Sequence, residues 1–531
     1  MIRFDEILAK YFPPGFVDRR KIVHPRIGAQ AAYRKQIKKK IKNPSHDEMT
    51  PKPNIRRGPW QPVFIAIGAW WTSTKNGTAT FLAGILLIGC SASSQEQGMV
   101  EKQAGSPKVA AQEKHRTVLP TVASPVAGEI KPKRIGTYMG GGLGLYGPME
   151  NWEHEIELVK DLNVGIIRFN SDIWDLLEPQ RGVYQWDKLD HLVDLVTREG
   201  GMDILFTLPI ASKWNGENKQ VNMMGFPIGR THFPTKDMES FRDFCQTLAA
   251  RYKGRIKYYE AWNEPDFLMF WKGDMQPDAA EYLPFLKEAY KTIKETDPDA
   301  IILNGGLAKP QETLWLNKLL DLGGGSYFDI MNIHIYPAFA RYPDALDVTE
   351  KILARHHLVK TIWVTETSTT GTFFETQNRE KEEYDKSVYL VQNFTRALSR
   401  PDVGCIFWHS LKNPGKDIHL PKDYDFGLIN SDGVLLPAYK AFQVWSRTLI
   451  GSNPLGRLGD GTNIEIYQFE HDGKMILVAW TNGDEQRLII PEKYTKVRIT
   501  TLRGDSKKIK RSKTPEIALG KEPVYLELLD E

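Results

Sequence analysis

Two glutamates carry the chemistry most open to reading: Glu264 in YYEAWNEPD and Glu366 in IWVTETST, each placed where a short apolar strand gives way to a loop. Cleaving a glycosidic bond with retention takes one carboxylic acid to protonate the leaving oxygen and one carboxylate to attack the sugar, about 5 Å apart across the bond. The competing reading of either glutamate is a solvated loop charge. The elements around the two residues decide between these readings, because only a fold that returns both strand ends to one place can make them a pair.

From residue 134 to 451 the chain alternates short apolar runs with amphipathic stretches of helical spacing. Eight strands are predicted: 134–140, 164–170, 203–209, 257–263, 300–306, 328–337, 361–367 and 404–410, each followed by a helix. ENWEHEIELVKDL (150–162), WDKLDHLVDLVTRE (186–199), MESFRDFCQTLAARY (238–252) and YDKSVYLVQNFTRAL (384–398) show the helical period most clearly. Eight βα units predict an α/β fold, a (β/α)8 TIM barrel over 133–451, and in that fold function collects at the C-terminal strand ends. Glu264 and Glu366 fall there, on strands four and seven. Beyond Gly451 the pattern becomes two-residue alternation between DG, NGDE and RGD turns, predicting a small C-terminal β-sandwich over 452–531 that packs on the barrel.

The chain has 531 residues and 41% hydrophobic content, enough to bury a large core. Its formal net charge of +4 is unevenly spread: residues 1–60 hold 15 Lys+Arg against 5 Asp+Glu, while the chain from Cys90 onward is net acidic at −7. An acidic body repels phosphates, so the basic leader reads as topogenic and nucleic acid is excluded as a partner. The 3 cysteines, Cys90, Cys245 and Cys405, have no metal-ligand spacing, and no metal or cofactor is expected. Cys245 and Cys405 fall on different βα units and should not pair. Cys90 closes the apolar run FLAGILLIGC (81–90), whose LIGC resembles a bacterial lipobox, so residues 1–90 are expected to form a leader ending in a lipidation site. An ordinary helix over 62–89 is the alternative, but polar TSTKNGT interrupts it and leaves no 18 consecutive apolar residues. Residues 91–132 read as a flexible tether averaging roughly 35 Å end to end. The expected location is extracytoplasmic, on a membrane lipid anchor.

WDLLEPQRGVYQWDKLD (174–190), YYEAWNEPD, HIYP (334–337), WVTETS and FGLINSDGVLLPAYKAF (426–442) together resemble glycoside hydrolases of clan A, most of all family 39. The resemblance implies a retaining O-glycosidase acting on β-linked sugars, with Glu264 as acid/base and Glu366 as nucleophile. It also implies that Asn263 bonds the sugar 2-hydroxyl, that Tyr336 orients Glu366 and that His334 lines the sugar site. Arg168, ending strand two, either keeps Glu366 ionised or neutralises Glu260 within the barrel. Like-charge repulsion from Glu366 is expected to hold the proton on Glu264 near neutral pH.

Aromatic residues gather at the same strand ends. Trp408 is the foremost candidate for a sugar platform, with Trp214, Trp262 and Phe270 behind it and Trp271 last. NGENKQVNMMGFPIGRTHFP (215–234) reads as a helical insert on the leaving-group side. Two other functions compete with hydrolysis. One is a non-catalytic carbohydrate-binding lipoprotein on the same barrel, disfavoured by the presence of both glutamates. The other is an NADP-dependent oxidoreductase using GLGLYG (Gly142 to Gly147), with Arg168 reading a 2′-phosphate; it leaves both glutamate motifs unexplained.

Overall fold

The computed structural model describes residues 70–73, 79–82, 116–118, 134–138 and 149–529, apart from 170–172, 218, 220, 224–225, 230–231, 274–275, 338, 370–377, 414–424, 459–462, 492–493, 495 and 511–515. Cys90 and Gly142 to Gly147 lie outside the described residues. One of the chain's two compact units comprises residues 1–12 and 18–105, and is described only through an antiparallel strand pair, Trp70–Ser73 with Ala79–Leu82. The other unit carries everything that follows.

Eight parallel strands make the second unit's central sheet: β1 (Ile135–Tyr138), β2 (Ile166–Phe169), β3 (Asp203–Thr207), β4 (Tyr258–Asn263), β5 (Ile301–Gly306), β6 (Met331–Ile335), β7 (Ile362–Thr367) and β8 (Val403–Trp408). Neighbours in sequence are neighbours in space, and β8 pairs with β1. Bridges from Leu303 to Ile330 and from Leu307 to Ile333 join β5 to β6 and complete the ring. The helices of eight residues or more are α1 (Trp152–Asp161), α2 (Asp187–Asp194), α3 (Met238–Arg251), α4 (Ala279–Thr296), α5 (Thr313–Asp321), α6 (Asp344–Arg355), α7 (Arg379–Leu398) and α8 (Pro437–Leu449). Local chemistry starts them: the side chains of Asp237, Asp278 and Asn378 accept from backbone N–H groups of the first turns of α3, α4 and α7, and Pro437 occupies the first turn of α8. The fold is a TIM barrel.

Strand alternation sorts side chains into two layers. Ile166, Leu205, Tyr258, Leu303, Trp363, Cys405 and Phe407 fill the barrel interior. Ile167, Phe206, Tyr259, Ile302, Ile333, Val364 and Ile406 face the helices. Cys245 and Cys405 are both free and buried.

The C-terminal domain holds a six-stranded antiparallel sheet built from β9 (Asn453–Leu458), β10 (Ile464–His471), β11 (Lys474–Thr481), β13 (Lys496–Thr500), β14 (Ser506–Lys510) and β16 (Val524–Leu529), with β12 (Gln486–Ile489) and β15 (Glu516–Leu519) in a second sheet. Alternation again assigns the faces. Ile466, Leu477, Ala479 and Leu526 meet Leu488, Ile517 and Leu519 between the sheets. Tyr467, Phe469, Ile476, Val478 and Trp480 face the other way and share one apolar cluster with Phe394 of α7 and Trp445 of α8. Two expectations change. Arg116–Val118, within the stretch read as tether, forms a strand parallel to β12. The insert after β3 is an antiparallel pair, Val221–Met223 with Phe226–Ile228, rather than a helix; Gly225 and Pro227 are both poor residues for a helix interior.

Candidate active site

Arg168 is the hub of the barrel mouth. It is 2% exposed, and its guanidinium makes three directed bonds: Nε to Glu260 Oε2 at 2.7 Å, Nη2 to Asn263 Oδ1 at 2.7 Å, and Nη1 to Glu366 Oε1. Both roles weighed for this arginine are therefore present at once, because one planar fork serves two carboxylates. It is fully committed to them and does not face out to read a phosphate. Glu260, buried on β4, also accepts from Thr207 Oγ1 at 2.7 Å, Asn332 Nδ2 at 2.6 Å and the Gly306 N–H at 3.1 Å.

Glu366 and Glu264 come together above this base. Tyr336 donates its hydroxyl to Glu366 Oε2 at 2.6 Å. His334 Nδ1 lies 2.7 Å from Glu264 Oε1 and 3.7 Å from Glu366 Oε2, and one atom each of Glu264, His334 and Glu366 all lie within 4.8 Å of one another. Such a trio has a spacing a cation could use. Its acceptors are already matched, with Arg168 and Tyr336 on Glu366 and His334 on Glu264, so the donor set does not read as a metal centre.

Backbone irregularity aims these side chains. At the end of β4 the chain leaves regular strand geometry, taking φ +80° at Trp262 and +47° at Glu264. Left-handed conformations are costly for bulky residues. They are secured here by the Glu264 N–H bonding to the Gly306 carbonyl at 3.1 Å and the Trp262 indole N–H bonding to the Phe270 carbonyl at 3.0 Å. On β7 the pairing register slips between Val364 and Thr367, which turns Glu366 to the mouth while Thr365 stays inside. Gly306 gives His334 its place: a Cβ there would stand 2.1 Å from His334 Nε2. Asp266 accepts from the N–H groups of Ala308 (2.9 Å) and Lys309 (2.8 Å), tying the loop of the acid to the end of β5.

The two carboxylates are driven apart in proton affinity. Burial pushes Glu264 up to about 7; the His334 bond opposes this and the Glu366 charge adds to it. Burial is thus the larger cause, ahead of the like-charge repulsion expected from sequence. For Glu366 burial acts upward too, but His334, His409, the Arg168 guanidinium and the Tyr336 hydroxyl together hold it below the ordinary carboxylate range. Burial takes His409 down to about 4, despite the opposing pull of Glu366.

The aromatic expectations fare unevenly. Trp408 is fully buried, packs against Tyr389 and Phe394 of α7, and donates its indole N–H to the Phe426 carbonyl at 3.0 Å. It belongs to the layer between strands and helices and offers no face to a sugar. Trp262, at 1% exposure, and Trp271, at 0%, are likewise core residues. Trp214 is half-buried, edge-on to Trp174 and bonded to the Glu178 carbonyl at 2.8 Å. The residue that sequence reasoning missed is His409, one position past Trp408: its Nδ1 is 3.7 Å from Glu366 Oε2, and its ring stands edge-to-face with Tyr336 and Phe426. The signal was available in strand parity, since Cys405 and Phe407 point inward and 409 continues their series.

Comparison with known proteins accords with this architecture. A family model described as glycosyl hydrolase catalytic core matches residues 231–435, and a β-galactosidase family model matches 146–215. The fold and the matched core define the class: a glycoside hydrolase. Among curated proteins, the chain is 24% identical to a β-xylosidase of Caldicellulosiruptor saccharolyticus over 373 residues, 64% of this chain and 72% of that one. It is 27% identical over 161 residues to the β-galactosidase BbgII of Bifidobacterium bifidum, 28% of this chain and 23% of that one. Two solved structures share the fold. A family 39 glycoside hydrolase from Bacteroides cellulosilyticus WH2 has a TM-score of 0.58 at 22% identity, covering 76% of this chain and 83% of its own. A family 39 β-xylosidase from Caulobacter crescentus has 0.57 at 18%, covering 78% and 99%.

Proposed function

We propose that this glycoside hydrolase cleaves β-linked glycosides with retention, Glu264 acting as acid and then base and Glu366 as nucleophile. The observation that carries the reading is a pair of buried carboxylates with one oxygen of each within 4.8 Å of the other, Glu264 raised in proton affinity by burial and Glu366 held below the ordinary carboxylate range by its histidine, arginine and tyrosine neighbours. That separation is the retaining one, since an inverting pair stands about 6.5–9.5 Å apart to admit a water. Relatives named for β-xylose and β-galactose support the β linkage.

In the first half-reaction Glu366 attacks the anomeric carbon as Glu264 passes its proton to the departing oxygen. The resulting ester carries no charge, so the repulsion on Glu264 falls and its carboxylate takes a proton from the incoming water. Arg168 and Tyr336 keep Glu366 aimed and ionised before attack. Because Arg168 holds the Asn263 carbonyl oxygen, the Asn263 amide N–H groups are turned toward the sugar 2-hydroxyl. Turnover of an aryl β-glycoside panel, with the product anomer followed by NMR, tests the reading. Retained configuration and a loss on the order of 10⁴-fold or more in Glu366→Ala are expected; an inverted product, or unchanged turnover in that variant, refutes it.

The leader adds a second element of the proposal: Cys90, closing FLAGILLIGC, anchors the enzyme by lipid on the extracytoplasmic side of a membrane. Labelling with a fatty acid should mark the wild type and leave Cys90→Ser unmarked and in the soluble fraction; equal labelling of both excludes the anchor.

A further inference from the structure

Beneath the catalytic pair runs a chain of hydrogen bonds whose directions are fixed from one end. Arg168 pairs with Glu260, so the Asn332 amide meeting Glu260 Oε1 at 2.6 Å must present its NH2 group, which leaves Asn332 Oδ1 as an acceptor. Thr365 Oγ1 lies 2.7 Å from that Oδ1 and 3.5 Å from Glu260 Oε1; its single proton goes to Asn332. The threonine oxygen can then only accept from His334 Nε2, 3.1 Å away. All members of this relay are buried, so a reversed bond leaves an unsatisfied group with no water to meet it.

We propose that Thr365 is a positioning residue that locks His334 in its Nε2-protonated tautomer, so that His334 Nδ1 and Glu264 Oε1 hold one proton between them and the acid stays loaded. Loss of that proton sets the Nδ1 lone pair against the Glu264 carboxylate at 2.7 Å. The alternative tautomer relieves this contact but turns Thr365 away from Asn332 and strips its oxygen of a donor. Within a fully buried relay that switch is the costlier of the two, so the wild type keeps Nε2 protonated even when the shared proton is lost, and the loss itself is made harder. The titratable and charged groups facing the pair are Glu260 (3.9 Å from His334 Nε2), Asp266 on the loop after β4, Arg168 from β2, Glu366 from β7, to which Tyr336 following β6 donates, and His409 following β8; from β5, Gly306 packs against His334 and brings no charge. The upward shifts of Glu264 and His334 accord with a retained proton.

The assignment rests on Glu264 being the acid/base, and its test is separable from that reading. In Thr365→Val the Nε2–H loses its acceptor, the Nδ1–H tautomer can form and donate to the Glu264 carboxylate, and the alkaline limb of kcat/KM should move down by about one pH unit, roughly a tenfold loss of activity above the limb. Thr365→Ser should restore the limb. Nitrogen-15 NMR of histidine-labelled protein gives a readout independent of activity: His334 Nε2-protonated in the wild type at a pH above the limb, and shifted toward Nδ1 protonation in Thr365→Val. A wild-type His334 protonated at Nδ1 there overturns the proposal even where the valine variant fails to fold, as does a folded Thr365→Val with an unmoved limb. If 2-fluoro glycosides fail to label Glu366 in the wild type, the catalytic assignment fails while the tautomer remains measurable.

Discussion

Among the described residues, arginine is buried against glutamate in two places, and they do opposite work. At the seam between barrel and β-sandwich, Arg396 of α7 bonds Glu465 of β10, with Nε to Oε2 at 3.0 Å, and lies over the Trp480 ring at 5.1 Å. Tyr467 (2.8 Å) and Asn482 (2.9 Å) complete the shell of Glu465. Burial acts upward on Glu465, but Arg396 and these donors outweigh it and carry it down to about 2. At the barrel mouth Arg168 divides its fork between Glu260 and Glu366, while Glu264, beside Glu366, is bonded by no arginine among the described residues and rises to about 7 through burial. A saturated pair fixes two domains; a deliberately unbalanced cluster keeps one proton ready to leave. Catalytic poise here comes from which carboxylate the arginine neglects.

The contrast has opposite signs in pH. Glu465, lowered on folding, contributes stability that is present above its unfolded value near 4.5 and is lost as pH falls toward 2. Glu264 is raised, so the folded state holds a proton the unfolded chain has released, and stability declines as pH rises through about 4.5 to 7.

Breaking the poised site gives the largest effect. Glu264→Gln should lower kcat on substrates with poor leaving groups by about 10²–10⁴-fold, yet flatten the decline in melting temperature between pH 4.5 and 7 and melt above the wild type at pH 7.5. A variant both inactive and less stable at pH 7.5 removes the contrast. Next is the seam: Glu465→Ala strands Arg396 and should cost about 3–5 kcal/mol in denaturant unfolding, with kcat of the folded enzyme unchanged. Wild-type acid unfolding should then show a loss of about 3 kcal/mol between pH 5 and 2 that is missing from Glu465→Gln. Smallest is Tyr336→Phe, which leaves Glu366 its arginine and removes one hydroxyl donor; a roughly tenfold fall in kcat with little change in KM is expected from steady-state kinetics.

How much of this was legible in sequence depends on local regularity. The eight βα units were legible because each element states its own period, and both glutamates because they stand at strand ends. Arg168 was legible as a partner, but not that it serves two carboxylates together, since that depends on three strands meeting. Trp408 was misjudged by one residue: from Cys405 onward β8 alternates strictly, which sends Trp408 outward and His409 inward. Glu366 shows the converse, because a register slip on β7 brings it to the mouth where alternation from the inward Thr365 does not, and left-handed residues at the end of β4 add a turn at Glu264 that no periodicity announces. Such irregularities are set by tertiary pairing and leave no pattern in the chain. The β-strand pair at 221–228 was lost for a related reason, a short insert without periodicity.

The central claim is that Glu366 attacks the sugar while Glu264 serves the leaving group. Incubation with a 2-fluoro β-glycoside bearing a good leaving group, followed by peptide mass spectrometry, tests it most directly. The account predicts a single fluoroglycosyl adduct on the peptide containing Glu366, formed at a rate little changed in Glu264→Gln because the leaving group needs no acid. An adduct on Glu264 or elsewhere would contradict it.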